Sequence, residues 1–190
     1  MALLRVYVAL SLDGYIADTR GGVAWLDAYH DPAVDFMAFV STIGVTVMGR
    51  RTFDEALARG PWMFGEGRAV VMTHRPIPKA PKGVEAFDGD VGELATRLRS
   101  DLEGTGKDVW LMGGGESIRA FHQAGEVDRF ELYVVPVFLG AGIPLFPRRE
   151  EALTTWRPTR TQAYPSGLVE LWYEPAVAAA PKRRGGPGKS

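Results

Sequence analysis

The sequence predicts an α/β fold: a three-layer sandwich with a central, mostly parallel sheet and an antiparallel edge built by the C-terminal segments. Three observations lead there. Runs of branched and aromatic residues alternate with segments whose apolar residues recur at helical spacing, the pattern of a sheet assembled through crossover connections. Glycine stands at Gly49 and Gly113, where strand-like runs give way to helix. The last two strand-like runs are joined only by Pro165-Ser166-Gly167, which reads as a hairpin.

The elements follow in order. Residues 4–10 (LRVYVAL) form a strand that stops at the turn Asp13-Gly14. Val34, Phe36, Met37, Phe39, Val40 and Ile43 predict a helix over 31–43, with Asp31 as N-cap and Pro32 in its first turn. Residues 45–48 read as a buried strand, and Phe53 and Leu57 announce a helix after Gly49. Strands over 68–72 and 84–87 precede an amphipathic helix marked by Val91, Leu94, Ala95, Leu98 and Leu102. A strand over 109–112 breaks at a glycine triplet, and a short helix covers 117–123. Strands over 129–135, 159–164 and 168–173 complete the chain.

Composition narrows the function. The chain has 190 residues and no cysteine, which sets one domain as the expectation and removes disulfides, thiolate metal sites and cysteine nucleophiles. The domain is expected over 1–175. The ending 176–190, small, Pro/Gly-rich and basic through Lys182, Arg183, Arg184 and Lys189, reads as a disordered tail. Net charge is −1, so the body without that tail is mildly acidic and shows no basic stripe for nucleic acid. The apolar run from Met1 is short, contains Arg5 and does not read as a signal peptide, and no stretch suits a bilayer span. A cytoplasmic protein without membrane partners is expected. The three histidines are scattered and predict no metal site.

Three strand-end junctions carry the chemistry. They are Met48-Gly49-Arg50-Arg51-Thr52-Phe53, Met72-Thr73-His74-Arg75-Pro76 and Met112-Gly113-Gly114-Gly115-Glu116-Ser117. In open α/β sheets ligands bind beyond the carboxyl ends of the strands, where glycine admits a phosphate and helix N–H groups face it. Two such junctions suit a dinucleotide's pyrophosphate. Arg50, Arg51 and Arg75 suit the extra 2′-phosphate of NADPH. The spacing is not G-x-G-x-x-G, so a standard Rossmann site is not expected.

Ser11-Leu12-Asp13-Gly14-Tyr15-Ile16-Ala17, Met48-Gly49-Arg50-Arg51-Thr52-Phe53, Met112-Gly113-Gly114-Gly115 and the later FLGAGIPLF segment occur in the order seen in dihydrofolate-reductase-like enzymes. The chain resembles above all the C-terminal reductase domain of the bacterial riboflavin deaminase-reductase, over about residues 3–174. The resemblance implies a dihydrofolate-reductase-like sandwich of about eight strands with NADPH lying across it. It implies that Gly49, Arg50, Arg51 and Thr52 hold phosphates, and that Thr73, His74 and Arg75 meet the adenosine ribose phosphate. It implies further that Gly113, Gly114, Gly115, Glu116, Ser117 and Ile118 wrap the pyrophosphate, with a cis bond inside the glycine triplet. Ala9, Ile16 and Ala17 would line the nicotinamide pocket, and residues 17–25 would act as a lid. Riboflavin-pathway members often carry Lys at Tyr7 and an acid at Met112; this chain departs at both. Homodimers are common in that branch, and the late strands with residues 139–147 are the expected interface.

A hydride transfer asks the protein mainly for alignment, with a general acid for the substrate. Asp35 is the first candidate acid, because the helical pattern sets it beside Phe36 and Phe39, and Asp13 is the second. Trp25 is the expected floor of the substrate pocket. The resulting expectation is an NADPH-dependent reductase of a small heterocycle, nearest to the phosphoribosylaminouracil reductase of riboflavin synthesis. A dihydrofolate or pteridine reductase and a nucleotide-binding module without turnover are the alternatives.

Overall fold

The computed structural model describes residues 1–60, 62, 67–148 and 153–176. The expected tail therefore falls, after Ala176, outside the described residues. The elements are β1 (Leu4–Ser11), β2 (Tyr15–Ala17), a 3-10 helix (Ala24–Tyr29), α1 (Phe36–Ser41), β3 (Ile43–Gly49), α2 (Arg50–Ala58), β4 (Arg68–Met72) and β5 (Val84–Phe87). There follow α3 (Val91–Asp101), β6 (Asp108–Gly113), α4 (Gly115–Gln123), β7 (Arg129–Val135), β8 (Ile143–Pro144), β9 (Trp156–Ala163) and β10 (Val169–Pro175). The eight-stranded sheet has the order β5-β4-β3-β6-β1-β7-β10-β9. From β5 to β7 every neighbouring pair is parallel. β10 runs antiparallel to both of its neighbours. The parallel strands thus end together on one rim, the side on which such sheets bind ligands.

Strand alternation separates the two faces. Leu4, Val6, Val45, Val47, Val109 and Leu111 turn toward Leu94 and Leu98 of α3 and Ile118 and Phe121 of α4, forming one continuous core. The opposite face is divided. Phe53 of α2 covers Met48, Ala69 and Val71. Trp25, Leu26, Tyr29 and Val34 cover Ala9, Tyr133 and Val135. Between these two covers lie Tyr7, stacked on Phe39, and the 5% exposed Trp110, packed edge-to-face against Phe36 and Phe39 of α1.

The divided face also buries charge. Glu131 is 1% exposed and takes two hydrogen bonds from Arg5, at 2.6 and 2.9 Å. Arg5 also reaches Asp108 at 3.1 Å and the Thr42 hydroxyl at 2.9 Å. Burial works against the Arg5 charge, but its carboxylate partners outweigh it and raise the guanidinium pKa.

The helix expected over 31–43 forms only from Phe36 to Ser41. Asp31 does not cap it. Its buried carboxylate takes the Ala33 N–H at 3.0 Å and the Ser166 N–H at 3.2 Å, a local turn that competes with helix. Asp35 is the cap, accepting from the Ala38 N–H at 2.8 Å. The little β2–β8 sheet and the 3-10 helix are additions, and β9 starts earlier than expected, at Trp156.

Removing one member of a buried ion pair strands the other. Glu131→Ala is expected to lower unfolding free energy by roughly 3 kcal/mol, measured by urea denaturation. Replacing Arg5 and Glu131 together by Met and Leu is expected to restore more than half of that loss.

Candidate functional site

Two junctions meet on the rim. Gly49 caps α2 and Gly114 caps α4, and neither helix has a side-chain cap. Both helices therefore present first-turn N–H groups that no capping side chain takes, at the positive ends of their dipoles. The junctions touch: a Cβ on Gly49 would stand 2.7 Å from Ser117 Oγ and 4.0 Å from the Gly114 nitrogen. A Cβ on Gly114 would stand 3.5 Å from Thr52 Oγ1. Gly113 has φ +124° and precedes a cis bond to Gly114, within the triplet where it was expected. Gly115 admits the Pro144 and Leu145 carbonyls, so residues 143–147 dock onto the start of α4. Ile118 differs from its expected role: its side chain is 1% exposed inside the core, leaving only its backbone near the rim. Glu116 is exposed and pairs with Arg119 at 3.1 Å.

The third junction closes a cavity of about 230 Å³ lined by Met72, Thr73, His74, Phe87, Asp88 and Gly89 on one side and Glu116 and Ser117 on the other. Thr73 and Arg75 form a tight turn through the Thr73 hydroxyl, which accepts from the Arg75 N–H at 3.0 Å. The His74 ring contacts Asp88. Arg50 leans toward this junction, donating to the Pro76 carbonyl at 3.1 Å while paired with Asp54 at 2.8 Å. Arg51 instead lies along α2, paired with Glu55 at 3.0 Å and largely exposed. Arg75 is exposed and lies outside the cavity lining. Of the three arginines, the structure brings only Arg50 between the junctions.

Ala9 stands on the divided face, beside the cover formed by Trp25. Ala17, 6% exposed, and Tyr15 are held by β8. Ile16 turns to the opposite core. The Trp25 Nε1 is buried and has no hydrogen-bond partner among the described residues, while its ring packs with the Tyr133 cluster.

The two candidate acids have other tasks. Asp13 accepts from Ser11 Oγ at 2.6 Å, from the Leu139 N–H at 3.2 Å and from the Gly140 N–H at 2.7 Å. The Ser11 hydroxyl, with those two N–H groups, holds its carboxyl below the ordinary range, so at neutral pH it is an ionised brace without a proton to give. Asp35 is exposed and occupied as the α1 cap. Its distance from chemistry follows from the shortened helix. Sequence reasoning also missed a buried cluster around Glu170, where Tyr133, Tyr164, Arg160 and Trp172 converge from β7, the terminal hairpin and β10. Alternation alone could have set Tyr133 and Glu170 on inner faces, but not opposite one another.

Among known families, the RibD C-terminal domain matches residues 2–170. The chain belongs to that family. Two Bacillus subtilis proteins of uncharacterised function are similar: YwjB is 29% identical over 74% of this chain and 80% of its own length, and YyaP 27% over 87% and 91%. A crystal structure from Shewanella sp. PV-4, a protein given a provisional place in riboflavin biosynthesis, has 27% identity and TM-score 0.75, covering 93% of this chain and all of that one. The Thermotoga maritima deaminase/5-amino-6-(5-phosphoribosylamino)uracil reductase shares the fold at TM-score 0.64 and 17% identity, over 92% of this chain and 57% of that protein. The RibD C-terminal family therefore has here a mostly parallel eight-stranded sheet with β10 antiparallel, as the sequence predicts. Among the described residues no helix is long and apolar enough to cross a membrane, and no cluster of potential metal ligands occurs.

The Asp13 brace is testable through pH. A carboxyl whose folded pKa lies below its ordinary 3.8 stabilises the fold above that value and loses the contribution as pH falls through the lowered pKa. Asp13→Asn is expected to lower the melting temperature near pH 7, with the gap to the parent chain closing as pH falls below the ordinary carboxylate range. A gap that stays constant with pH would remove the charge from the account.

Proposed function

We propose that this protein is an NADPH-dependent reductase that delivers a hydride to a small heterocycle, nearest in kind to 5-amino-6-(5-phosphoribosylamino)uracil reduction. One observation carries the reading: two helix N-termini capped only by glycine, Gly49 and Gly114, converge within van der Waals reach beside the cavity at Thr73 and Ser117. This donor set suits a pyrophosphate, because each terminus offers N–H groups and a positive dipole end. The cofactor, when bound, supplies the hydride. The protein's share is binding and alignment. Gly113, Gly114, Gly115 and the backbone of Glu116 would hold the pyrophosphate, with the Ser117 and Thr52 hydroxyls beside them, while the Ser117 and Ile118 N–H groups are given to the Gly114 carbonyl at 3.0 and 3.1 Å. Thr73, His74 and Arg75 would border the adenosine ribose, and Arg50 would reach the 2′-phosphate. Ala9 and Ala17 are small enough to admit a flat ring against the sheet, with Ile16 behind them. The Trp25 indole N–H, buried and without a partner among the described residues, is a donor that a bound ring would satisfy. No part of this reading requires nucleic acid or a membrane, and a cytoplasmic site of action goes with it.

Family membership supports the reductase class. We also propose a homodimer joined through the late strands and residues 139–147, where Phe146 is 50% exposed and the adjoining Phe138 76%. Light scattering is expected to give twice the chain mass; the mass of one chain would overturn the dimer.

Titration with NADPH and NADH, followed by nicotinamide fluorescence, tests the cofactor. Tight NADPH binding with weak NADH binding is expected, and binding of neither would sink the reductase reading. Arg50→Ala is expected to weaken NADPH about tenfold, the scale of one charge-assisted hydrogen bond, and NADH much less. Equal weakening of both would remove Arg50 from the 2′-phosphate.

A further inference from the structure

The cavity at the third junction holds side chains that the reading above leaves without a task. Met72 and Phe87 are register partners at the ends of β4 and β5, and the Thr73 N–H donates to the Phe87 carbonyl at 2.9 Å. The two strand ends therefore open together, and the cavity of about 230 Å³ lies between them and the start of α4. Its wall is apolar where Met72 and Phe87 line it. The Phe87 ring is closely packed. The Arg97 guanidinium lies 5.5 Å from its centroid, and a Cβ on Gly89 would stand 2.8 Å from its Cζ.

The charged groups beside that wall are carboxylates. Asp88 and Glu116 line opposite sides of the cavity, and among the described residues that line it there is no arginine or lysine. Arg50 reaches the Pro76 carbonyl instead, and Arg75 lies outside the lining. Glu116 is paired with Arg119 at 3.1 Å. Asp88 is engaged through Oδ1, which contacts Nδ1 of His74. A carboxylate only accepts, so Nδ1 is the donor there, and Asp88 Oδ2 is left to accept from another group. The Asp88 side chain is 56% exposed, which sets it at the mouth of the cavity.

This set of groups sorts the parts of a dinucleotide. A phosphate in the cavity would face two carboxylates and no cation in the lining, so it belongs on the Arg50 side. A flat ring gains by covering Met72 and Phe87. A ring edge that carries N–H finds an acceptor in Asp88. A ring edge that carries a carbonyl meets a second acceptor and gives up its bond to water for nothing. Adenine has an amine at its 6-position; hypoxanthine has a carbonyl at the same place.

We infer that Asp88 reads the base of the bound dinucleotide, accepting the exocyclic amine of adenine at the mouth of this cavity and rejecting a base with a carbonyl there. This inference rests on the reductase reading above and adds to it the residue that chooses the base. Asp88 is the residue that touches the base. His74 is a positioning residue: it occupies Oδ1 and so turns Oδ2 toward the ring.

Two probes differ only at that position: NADPH and its hypoxanthine analogue, reduced nicotinamide hypoxanthine dinucleotide phosphate. Their dissociation constants are read on the full chain by nicotinamide fluorescence. The parent protein is expected to prefer NADPH by about tenfold, the order of one charge-assisted hydrogen bond at a half-exposed site. Asp88→Ala is expected to bring the two constants within about twofold of each other. Asp88→Asn is expected to reverse the preference. Its amide oxygen keeps the His74 Nδ1–H, and its NH₂ then donates to the hypoxanthine carbonyl. Adding His74→Ala to Asp88→Asn frees the amide to turn either way and is expected to return the constants to within about twofold. A purely structural His74 would not shift that ratio. Equal binding of both probes by the parent overturns the inference and leaves the cofactor reading intact. So does an Asp88→Asn protein that weakens both probes alike, since Asp88 would then serve the ribose or only the His74 ring. Failure of the parent to bind either probe strikes the reductase reading itself, and this inference with it.

Discussion

Close approach at two glycines, Gly49 and Gly115, is the constraint on which the site depends. β3 and β6 are neighbours, and each turns into a helix on the same rim. The two turns can only share that space if neither carries a side chain inward. Gly49 leaves room for Ser117, and Gly115 leaves room for the carbonyls of Pro144 and Leu145. A Cβ at Gly115 would run into backbone, which cannot rotate aside as a side chain can. The result is a surface of N–H groups from two helix starts, unshielded by capping side chains. Asp13 secures the same region from the other side by tying the end of β1 to the Leu139–Gly140 turn.

The two faces of the sheet divide their work along chemical lines. The α3/α4 face is one continuous apolar core. The other is divided between two covers and carries the buried charges, Glu131 with Arg5 and Glu170 with its four donors. Burying charge is costly unless every partner is in place. Such groups contribute less to stability than to setting orientation. Glu170 in this way fixes which way the Tyr133 hydroxyl points.

Much of this arrangement is legible in the residues. β4, β5 and β7 fall where the apolar runs place them, and the hairpin forms at Pro165-Ser166-Gly167, because the signal in each is local. β9 is harder to see. It is an exposed edge strand with Pro158 inside it, so it shows no alternation of burial. α1 is shorter than its apolar pattern suggests because Asp31 closes a side-chain turn ahead of it. β2 and β8 are too short to show a period. At the site, the glycines and hydroxyls of the junctions are legible because their chemistry lies in contiguous segments. The roles of Asp13 and Asp35 are not, because a carboxylate's task depends on which N–H groups reach it.

The sequence by itself determined the α/β class, the sheet's parallel character, the glycine junctions at strand ends and, through their order along the chain, the family. These properties rest on short-range patterns: periodicity, turn chemistry and motif. Tertiary structure decided which arginine stands between the junctions, that Ile118 turns inward, that Asp13 is engaged by a distant turn, and that Tyr133 and Glu170 meet. Such points depend on tertiary contacts, as with Asp13 and the Leu139 and Gly140 N–H groups, which stand more than a hundred positions apart in the chain. No local pattern in the sequence encodes a distance of that kind.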